Sequence, residues 1–153
     1  MNRLDALKLI IEKHHDDPIV FSNGLTSREA AWLNDQENHM YLVHGMGEAL
    51  SVGIGIAAAA DTPVVVVDGD GNCLMGYSAL NMLKNYNITY YVLDNGCYET
   101  TGGQDVSVCL DFPGLNRIKI EKGKKGTPNP PHPEITKNKF SNWLSNKMNT
   151  ETI

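Results

Sequence analysis

The sequence predicts an α/β domain of three layers, with a mostly parallel sheet between helices. Helical and strand signals alternate along the 153 residues. The strand signals are continuous apolar runs, such as PVVVV at 63–67, and such runs are typical of strands covered on both faces. Strands of this kind that alternate with helices build a parallel sheet with helices on both sides. The length suits one domain, which we expect to span residues 1–153.

The first part of the chain predicts two helices and two strands. Apolar residues recur at helical spacing over 7–14, and a short apolar run bounded by turn residues at 18–22 predicts a strand. Thr26 and Glu29 have capping-box spacing, so the SREAAWLND segment is expected to be a helix that starts there. The MYLV run at 40–43 predicts the next strand.

The middle of the chain continues the alternation. Residues 47–60 are rich in small side chains with an apolar face, which indicates a buried helix. The PVVVV run at 63–67 predicts a strand, residues 73–86 predict a helix, and ITYYVL at 88–93 predicts the following strand. A further strand is expected near 117–120.

The last part of the chain holds a connector and one long helix. Residues 121–134 are rich in Pro, Gly and Lys and predict an extended arm or a mobile loop rather than a domain boundary. Residues 133–149 predict an amphipathic helix with Pro133 in its first turn. Its apolar stripe consists of Phe140, Trp143, Leu144 and Met148.

Composition excludes several classes of protein. The formal net charge is −5 and no basic stripe is visible, which argues against nucleic acid as a partner. The longest apolar stretch, 49–60, is too short to span a bilayer, and the N-terminus does not resemble a signal peptide. Cys73, Cys97 and Cys109 are odd in number and lack Cys-x-x-Cys spacing, which argues against a disulfide framework and a zinc site. We therefore expect a cytoplasmic protein.

Polar residues follow two of the predicted strands. Asp70, within Gly-Asp-Gly-Asn, comes after PVVVV, and Asn95 comes after ITYYVL. Ligands bind at the carboxyl ends of parallel strands, and both side chains share one crevice if the strands are neighbours. A carboxylate and an amide oxygen suit Mg²⁺, and a following helix start suits a phosphate. The pair predicts a metal–diphosphate site, whereas either motif alone is more often a turn.

These motifs resemble those of thiamine-diphosphate enzymes. Gly-Asp-Gly followed by Asn95 is similar to their Gly-Asp-Gly…Asn-Asn motif, with Asp94 in place of the first Asn. The strings HGMGEALSVGIGIA, VVVVDGDGNCLMGYSAL and YYVLDNGCYETTGGQ resemble the diphosphate-binding region of phosphonopyruvate and sulfopyruvate decarboxylases. The resemblance covers about residues 1–112 and a segment near the C-terminus. It implies a thiamine-diphosphate-binding fold.

The resemblance also implies roles for individual residues. Asp70 and Asn95 would bind Mg²⁺ through side-chain oxygens and Cys97 through its main-chain carbonyl. Met46 would lie under the cofactor and force its bent shape. The residues that would contact the cofactor are His44 (through its carbonyl), Gly45, Gly69, Asp70, Gly71, Asn72, Asn95, Tyr98 and Glu99, with Gly102 and Gly103 in the adjoining loop. The alternatives are a core role for Met46 and a buried hydrophobic role for Cys97.

The resemblance implies an activity and a partner. The expected reaction is decarboxylation of a small 2-oxo acid with an anionic C3 group, with release of an aldehyde. Thiamine enzymes need a Glu that hydrogen-bonds the aminopyrimidine, and in this family it lies on a separate pyrimidine-binding domain. We therefore expect an α subunit that supplies this Glu, and a hetero-oligomer. Lys122, Lys124 and Lys125 are candidates for the substrate anion, or belong to a solvated loop.

Departures from the family pattern leave other functions open. The family usually has Gly and His where this chain has His44 and Glu48, and the chain is about two elements short after Gln104. The shortened region leaves a degenerate subunit possible. Besides the decarboxylase, the sequence allows a carboligase or synthase subunit, and a non-catalytic binding or regulatory subunit.

Overall fold

One sheet of five parallel strands organises the molecule. The computed structural model describes residues 1–106 and 110–151. The strand order is β2-β1-β3-β4-β5, and every neighbouring pair is parallel. The predicted α/β class with a parallel sheet is confirmed. The strands are β1 (Ile19–Phe21), β2 (His39–Tyr41), β3 (Val64–Gly69), β4 (Ile88–Asp94) and β5 (Leu115–Lys119).

Helices cover both faces of this sheet. They are α1 (Arg3–Lys13), α2 (Leu25–Asn34), α3 (Ala49–Ala60), α4 (Asp70–Met75), a 3-10 helix (Tyr77–Asn85) and α5 (Pro133–Glu151). Val65 and Val67 of β3 belong to one apolar core, which includes the buried faces of α1 and α2. Val64 and Val66 belong to a second core, which includes α3 and the 3-10 helix. Because alternate side chains of a strand point to opposite faces, the valine run joins two cores in a three-layer fold.

The start of α2 differs from the predicted capping box. The helix begins at Leu25, its N-cap is Gly24 with φ +85°, and no side chain caps it. Glu29 is buried and accepts a hydrogen bond from the Arg3 guanidinium instead (3.2 Å). The capping-box interpretation was therefore wrong, because a long-range ion pair uses the Glu29 carboxylate.

The predicted helix at 73–86 is also different in the structure. It begins at Asp70, ends at Met75 and is followed by the 3-10 helix. Gly76 lies at the break, where a Cβ atom would be 2.2 Å from the Gly47 carbonyl oxygen. The loop before α3 therefore packs directly against the backbone at this junction, and only glycine leaves room for it.

The connector crosses the molecule. Its start is joined to the N-terminus by a hydrogen bond from the Glu121 N–H to the Met1 carbonyl, and it ends at α5, which packs on β2 at the opposite sheet edge. Residues 120–132 contain neither helix nor strand. Helix α5 runs two residues beyond the predicted 149. In its apolar stripe Phe140 is buried, Trp143 and Leu144 are half-buried, and Met148 is exposed.

The link from β4 to β5 is short, as the sequence predicts. Its described residues form turns and an isolated bridge between Cys97 and Asp105, but no helix. Cys73 and Cys97 are free and buried, while Cys109 lies outside the described residues. None of the described helices has both the length and the apolar character needed to cross a bilayer.

Candidate functional site

The ends of β3 and β4 meet at one edge of the sheet. Gly69 pairs with Leu93 in the strand register, so the residues that follow each strand are neighbours. One Asp70 carboxylate oxygen accepts a hydrogen bond from the Gly96 N–H (2.8 Å), and the other accepts one from the Gly71 N–H (2.9 Å). The prediction that both strand ends share a crevice is confirmed.

A cleft of about 100 Å³ opens at this edge. It is called the cofactor cleft below. Most residues singled out in the sequence line it, namely Met46, Gly69, Asp70, Gly71, Asn72, Asn95, Cys97, Tyr98 and Glu99. His44 lines a neighbouring cleft instead, and Gly45 lines neither of the two.

The oxygen atoms at the base of the cofactor cleft are held by backbone and side-chain hydrogen bonds. Asn95 donates its amide N–H to Glu99 (2.8 Å), and its amide oxygen accepts from the Cys97 N–H (3.0 Å). The Cys97 carbonyl accepts from the Glu99 N–H (3.0 Å). Both ends of the Asn95 amide are therefore fixed by hydrogen bonds, and its oxygen belongs to the same cleft as the Asp70 carboxylate.

These acceptors fit a hard cation. The Asp70 carboxylate accepts two N–H donors, one on each oxygen, and the Asn95 amide oxygen and the Cys97 carbonyl accept one each. All of these oxygens therefore keep further lone pairs. Oxygen ligands of this kind suit Mg²⁺ rather than zinc. Among the described residues, no group of three His, Cys, Asp or Glu side chains is arranged to hold a metal ion. A metal at this position therefore depends on the amide and main-chain oxygens.

Two carboxyl groups at this edge differ in charge environment. Burial raises the pKa of Asp70 to about 6, and the neighbouring Asp94 carboxyl adds to the rise. Burial also opposes ionisation of Asp94, but hydrogen bonds from Arg117 and Asp70 outweigh it and hold the pKa of Asp94 below its usual value. Arg117 of β5 forms an ion pair with Asp94. The carboxylate that departs from the family motif is thus neutralised within the chain.

The start of α2 forms another wall of the cofactor cleft. Asn23, Gly24, Leu25 and Thr26 line it, and no side chain caps this ten-residue helix. The Asn23 side-chain oxygen is buried without a hydrogen-bond partner among the described residues. Free N–H groups at a helix N-terminus bind anions. The sequence interpretation missed these residues because it placed a capping box there, although the Ser-Asn-Gly turn after β1 was a usable signal.

The loop before α3 carries Met46 to the cleft. The Gly47 N–H donates to the Asn72 side-chain oxygen (3.1 Å), and Gly45 and Gly47 have φ of +78° and +83°. Met46 is 59% exposed, so the alternative that it fills the core of this chain is wrong. Among the described non-glycine residues only Asp61 has positive φ, so the backbone conformation of His44 needs no glycine.

Gly71 is required by a contact within the chain. A Cβ atom there would lie 2.7 Å from the Tyr98 ring, whereas one at Gly69 would meet nothing within 4 Å. The turn that carries Tyr98 is closed by N–H donors of Thr101 and Gly103, both to the Tyr98 carbonyl. Gly71 therefore lets the Tyr98 turn cover the start of α4.

A buried arginine joins this turn to two helices. Arg3 of α1 donates to Glu99 (2.6 Å) and to Glu29 of α2 (3.2 Å), and it lines the cofactor cleft. Arg3 and Glu29 are both buried. Nothing local in the sequence indicates this network, because its partners are 26 and 96 positions from Arg3.

Comparisons with known proteins identify the family of this chain. The family "Thiamine pyrophosphate enzyme, C-terminal TPP binding domain" matches residues 23–135. A phosphonopyruvate decarboxylase of Streptomyces viridochromogenes is 41% identical over 118 residues, which cover 74% of this chain and 30% of the relative. The sulfopyruvate decarboxylase β subunit of Methanocaldococcus jannaschii is 37% identical over 106 residues, which cover 67% of this chain and 56% of the relative.

A second β subunit extends the match. That of Methanothermobacter thermautotrophicus is 36% identical over 130 residues, which cover 78% of this chain and 70% of the relative. The chain thus spans less than a third of the first relative and 56–70% of the two β subunits. Thiamine pyrophosphate, the same compound as thiamine diphosphate, is the cofactor of the matched family, and Mg²⁺ is its usual metal. Since the family match covers most of the chain, the protein belongs to the thiamine pyrophosphate enzymes as a C-terminal TPP binding domain.

Proposed function

We propose that this chain is the diphosphate-binding subunit of a thiamine-diphosphate- and Mg²⁺-dependent 2-oxo acid decarboxylase. One observation carries the proposal: Asp70 and Asn95 follow neighbouring strands and meet in a cleft beside the uncapped start of α2. Oxygen atoms that suit a metal and N–H groups that suit a phosphate therefore lie at the same edge of the sheet.

The proposal assigns the cofactor contacts as follows. Mg²⁺ is held by side-chain oxygens of Asp70 and Asn95 and by the main-chain carbonyl of Cys97. The diphosphate is held by N–H groups at the start of α2 and by the backbone of 69–72. The Asp70 carboxyl, whose pKa burial raises, is stabilised in its charged form by a bound cation.

Other residues position and enclose the cofactor. When bound, thiamine diphosphate supplies the electron sink that allows a 2-oxo acid to lose CO₂. Met46, which lines the cofactor cleft, would contact it, and the carbonyl of His44, next to Gly45, would accept a hydrogen bond from it. Glu99 is engaged by Arg3 and Asn95, so its role is to orient the Asn95 amide rather than to transfer a proton. Tyr98 covers the start of α4.

The chain is proposed to act with a partner. Several relatives are named β subunits, which implies an α subunit in those proteins. Here the partner would be a pyrimidine-binding subunit that supplies the activating Glu. Met46 and Met75 line the cofactor cleft and are 59% and 53% exposed, so an apolar rim is available for its docking. The complex would be a hetero-oligomer.

The substrate class is proposed from the relatives' names. The names specify phosphonopyruvate and sulfopyruvate, both 2-oxo acids with a second acidic group. A small substrate of this class, giving an aldehyde and CO₂, is the first choice.

The experiment is a CO₂-release assay on the chain co-purified with its partner subunit. The substrates are pyruvate, 3-phosphonopyruvate and 3-sulfopyruvate, with thiamine diphosphate and Mg²⁺ present. We expect release from at least one anionic substrate, and its loss in Asp70→Ala but not in Asp16→Ala, a change at an exposed carboxylate. Cofactor binding without any CO₂ release would favour a carboligase, and a complex that binds no cofactor would favour a non-catalytic subunit.

A further inference from the structure

A second cleft opens beside the cofactor cleft. It has a volume of about 570 Å³ and is called the basic cleft below. The two clefts share the lining residues Asn23, Gly24, Leu25, Glu99 and Thr100. They are therefore adjacent at the start of α2, with these shared residues between them.

The basic cleft is lined by cationic side chains. Arg28 and Lys124 line it together with His44. Within the described part of the chain, neither Arg28 nor Lys124 forms an ion pair. The one carboxylate in the lining, Glu99, is already paired with buried Arg3 at 2.6 Å. A chain of net charge −5 thus keeps two uncompensated cations in one cleft.

Backbone contacts on both sides fix the position of Lys124. The Gly123 N–H donates to Glu99, and the Gly123 carbonyl accepts from Arg3 (3.1 Å). The Lys125 N–H donates to Glu29 (3.3 Å). A separate cleft is lined by all three lysines, but only Lys124 also lines the basic cleft. The lysine-rich connector is therefore held so that, of its three lysines, Lys124 lines the basic cleft.

We propose that Arg28 and Lys124 form the subsite for the second anionic group, a phosphonate or sulfonate, of a 2-oxo acid substrate. This inference deepens the proposed function and rests on it for the identity of the ligand. Arg28 offers a planar fork of donors that matches tetrahedral oxyanions, and Lys124 adds a mobile point charge. The 2-oxo carboxylate end then lies toward the shared residues Gly24 and Glu99, where the cofactor cleft begins.

The test measures binding of a probe that cannot be decarboxylated. Phosphonoacetate is titrated calorimetrically into the chain assembled with its partner subunit, with thiamine diphosphate and Mg²⁺ bound, and acetate is the monoanionic control. Because each variant loses a charge-assisted hydrogen bond to the phosphonate, we expect phosphonoacetate to bind about 10-fold or more weakly to Arg28→Gln and to Lys124→Gln. Lys122→Gln, a change on the same segment outside the cleft, should bind it like the wild type.

The outcomes separate this inference from the proposed function. Equal phosphonoacetate affinity in all variants, with folding intact by circular dichroism, would overturn the subsite. Weaker phosphonoacetate binding in Arg28→Gln and Lys124→Gln, with wild-type binding in Lys122→Gln, would support it. If the wild type binds phosphonoacetate through these residues but binds no thiamine diphosphate, the anion subsite stands and the proposed function fails.

Discussion

Two regions of the sheet bury ionisable side chains, and burial shifts their pKa values in opposite directions. At the ends of β3 and β4, burial raises the pKa of Asp70 to about 6. In edge strand β2, burial lowers the pKa of His39 to about 4. The same cause acts in both, since burial disfavours whichever form carries charge. A shifted pKa alone therefore does not distinguish a functional site from a structural one.

The surroundings of the two groups make the distinction. Asp70 lines an open cleft, accepts two backbone N–H donors and lies near Asn95. His39 is fully buried against Phe21 and Tyr41, with ring centroids at 5.1 and 5.9 Å, and its Nδ1 lies 2.9 Å from the Tyr41 hydroxyl. The first arrangement accommodates a cation, whereas the second excludes any ligand. Convergent acceptors in a cleft are thus the informative sign.

The largest expected effect is at Asp70. Asp70→Ala should weaken thiamine diphosphate binding in Mg²⁺ by about 100-fold or more, because even groups behind the direct ligands contribute about 10–100-fold. The free energy of unfolding without cofactor should fall by about 1–3 kcal/mol at most, because the variant removes the acceptor of the Gly71 and Gly96 N–H groups. Among the described residues no cationic side chain forms an ion pair with Asp70, so no buried charge is left unpaired. Isothermal titration and chemical denaturation of the same sample measure both quantities. Cofactor affinity within threefold of the wild type would contradict the metal assignment.

Arg117→Met tests the structural carboxylate at the same edge. The change leaves Asp94, which is 7% exposed, without its cation. Breaking a buried pair costs about 3–5 kcal/mol, and the partial exposure of Arg117 reduces the expected loss to about 2 kcal/mol. Urea denaturation measures it. The double variant Arg117→Met/Asp94→Asn should recover most of the loss, and no recovery would show that Arg117 acts through other contacts.

Gly71→Ala tests the packing between the two strand ends. The new methyl would meet the Tyr98 ring at 2.7 Å, so the turn must move. Overpacking of this kind costs about 1–3 kcal/mol, and we expect a value near the lower end because Tyr98 is on a loop. Gly55→Ala is the matched control, since nothing lies within 4 Å of that position and alanine favours helix α3. If Gly71→Ala and Gly55→Ala have equal stability, the contact between position 71 and the Tyr98 ring does not restrict the side chain at position 71.

The smallest effect concerns His39 and pH. Its pKa is lower in the folded state, about 4, than the usual 6.5, so the unfolded state takes up the proton first as pH falls. Stability should therefore decrease on acidification between pH 6.5 and 4, by about 1 kcal/mol between pH 6.5 and 5.5. His39→Phe should remove this part of the slope, and His15→Gln, at an exposed position, should retain it. The measurement is urea denaturation across that pH range.

Local patterns in the sequence predicted the fold and the centre of the site. The valine run defined β3, and the spacing from Asp70 to Asn95 spanned one helical region and one strand, so both side chains could be placed at one edge. The hydrophobic periodicity, the β-branched runs and the turn residues suffice to predict these features, because each signal depends only on neighbours along the chain.

Features that depend on distant contacts were not predictable. Arg3 meets Glu99 across 96 positions, and Arg117 meets Asp94 across 23. At the break after Met75, Gly76 packs against the backbone of Gly47, which precedes α3. The start of α2 was misplaced because Glu29 pairs with Arg3 rather than with its own helix. In each case a partner from another element decides the local structure.

Asp70, Asn95 and the Cys97 carbonyl are proposed to hold a metal that links thiamine diphosphate to this chain. The most direct test is a thiamine diphosphate titration of the chain with its partner subunit, once with Mg²⁺ and once with EDTA. We expect saturable binding with Mg²⁺ and about 100-fold or more weaker binding with EDTA, because the metal would link the diphosphate to the carboxylate and amide oxygens of this chain. Equal affinity under the two conditions would contradict it.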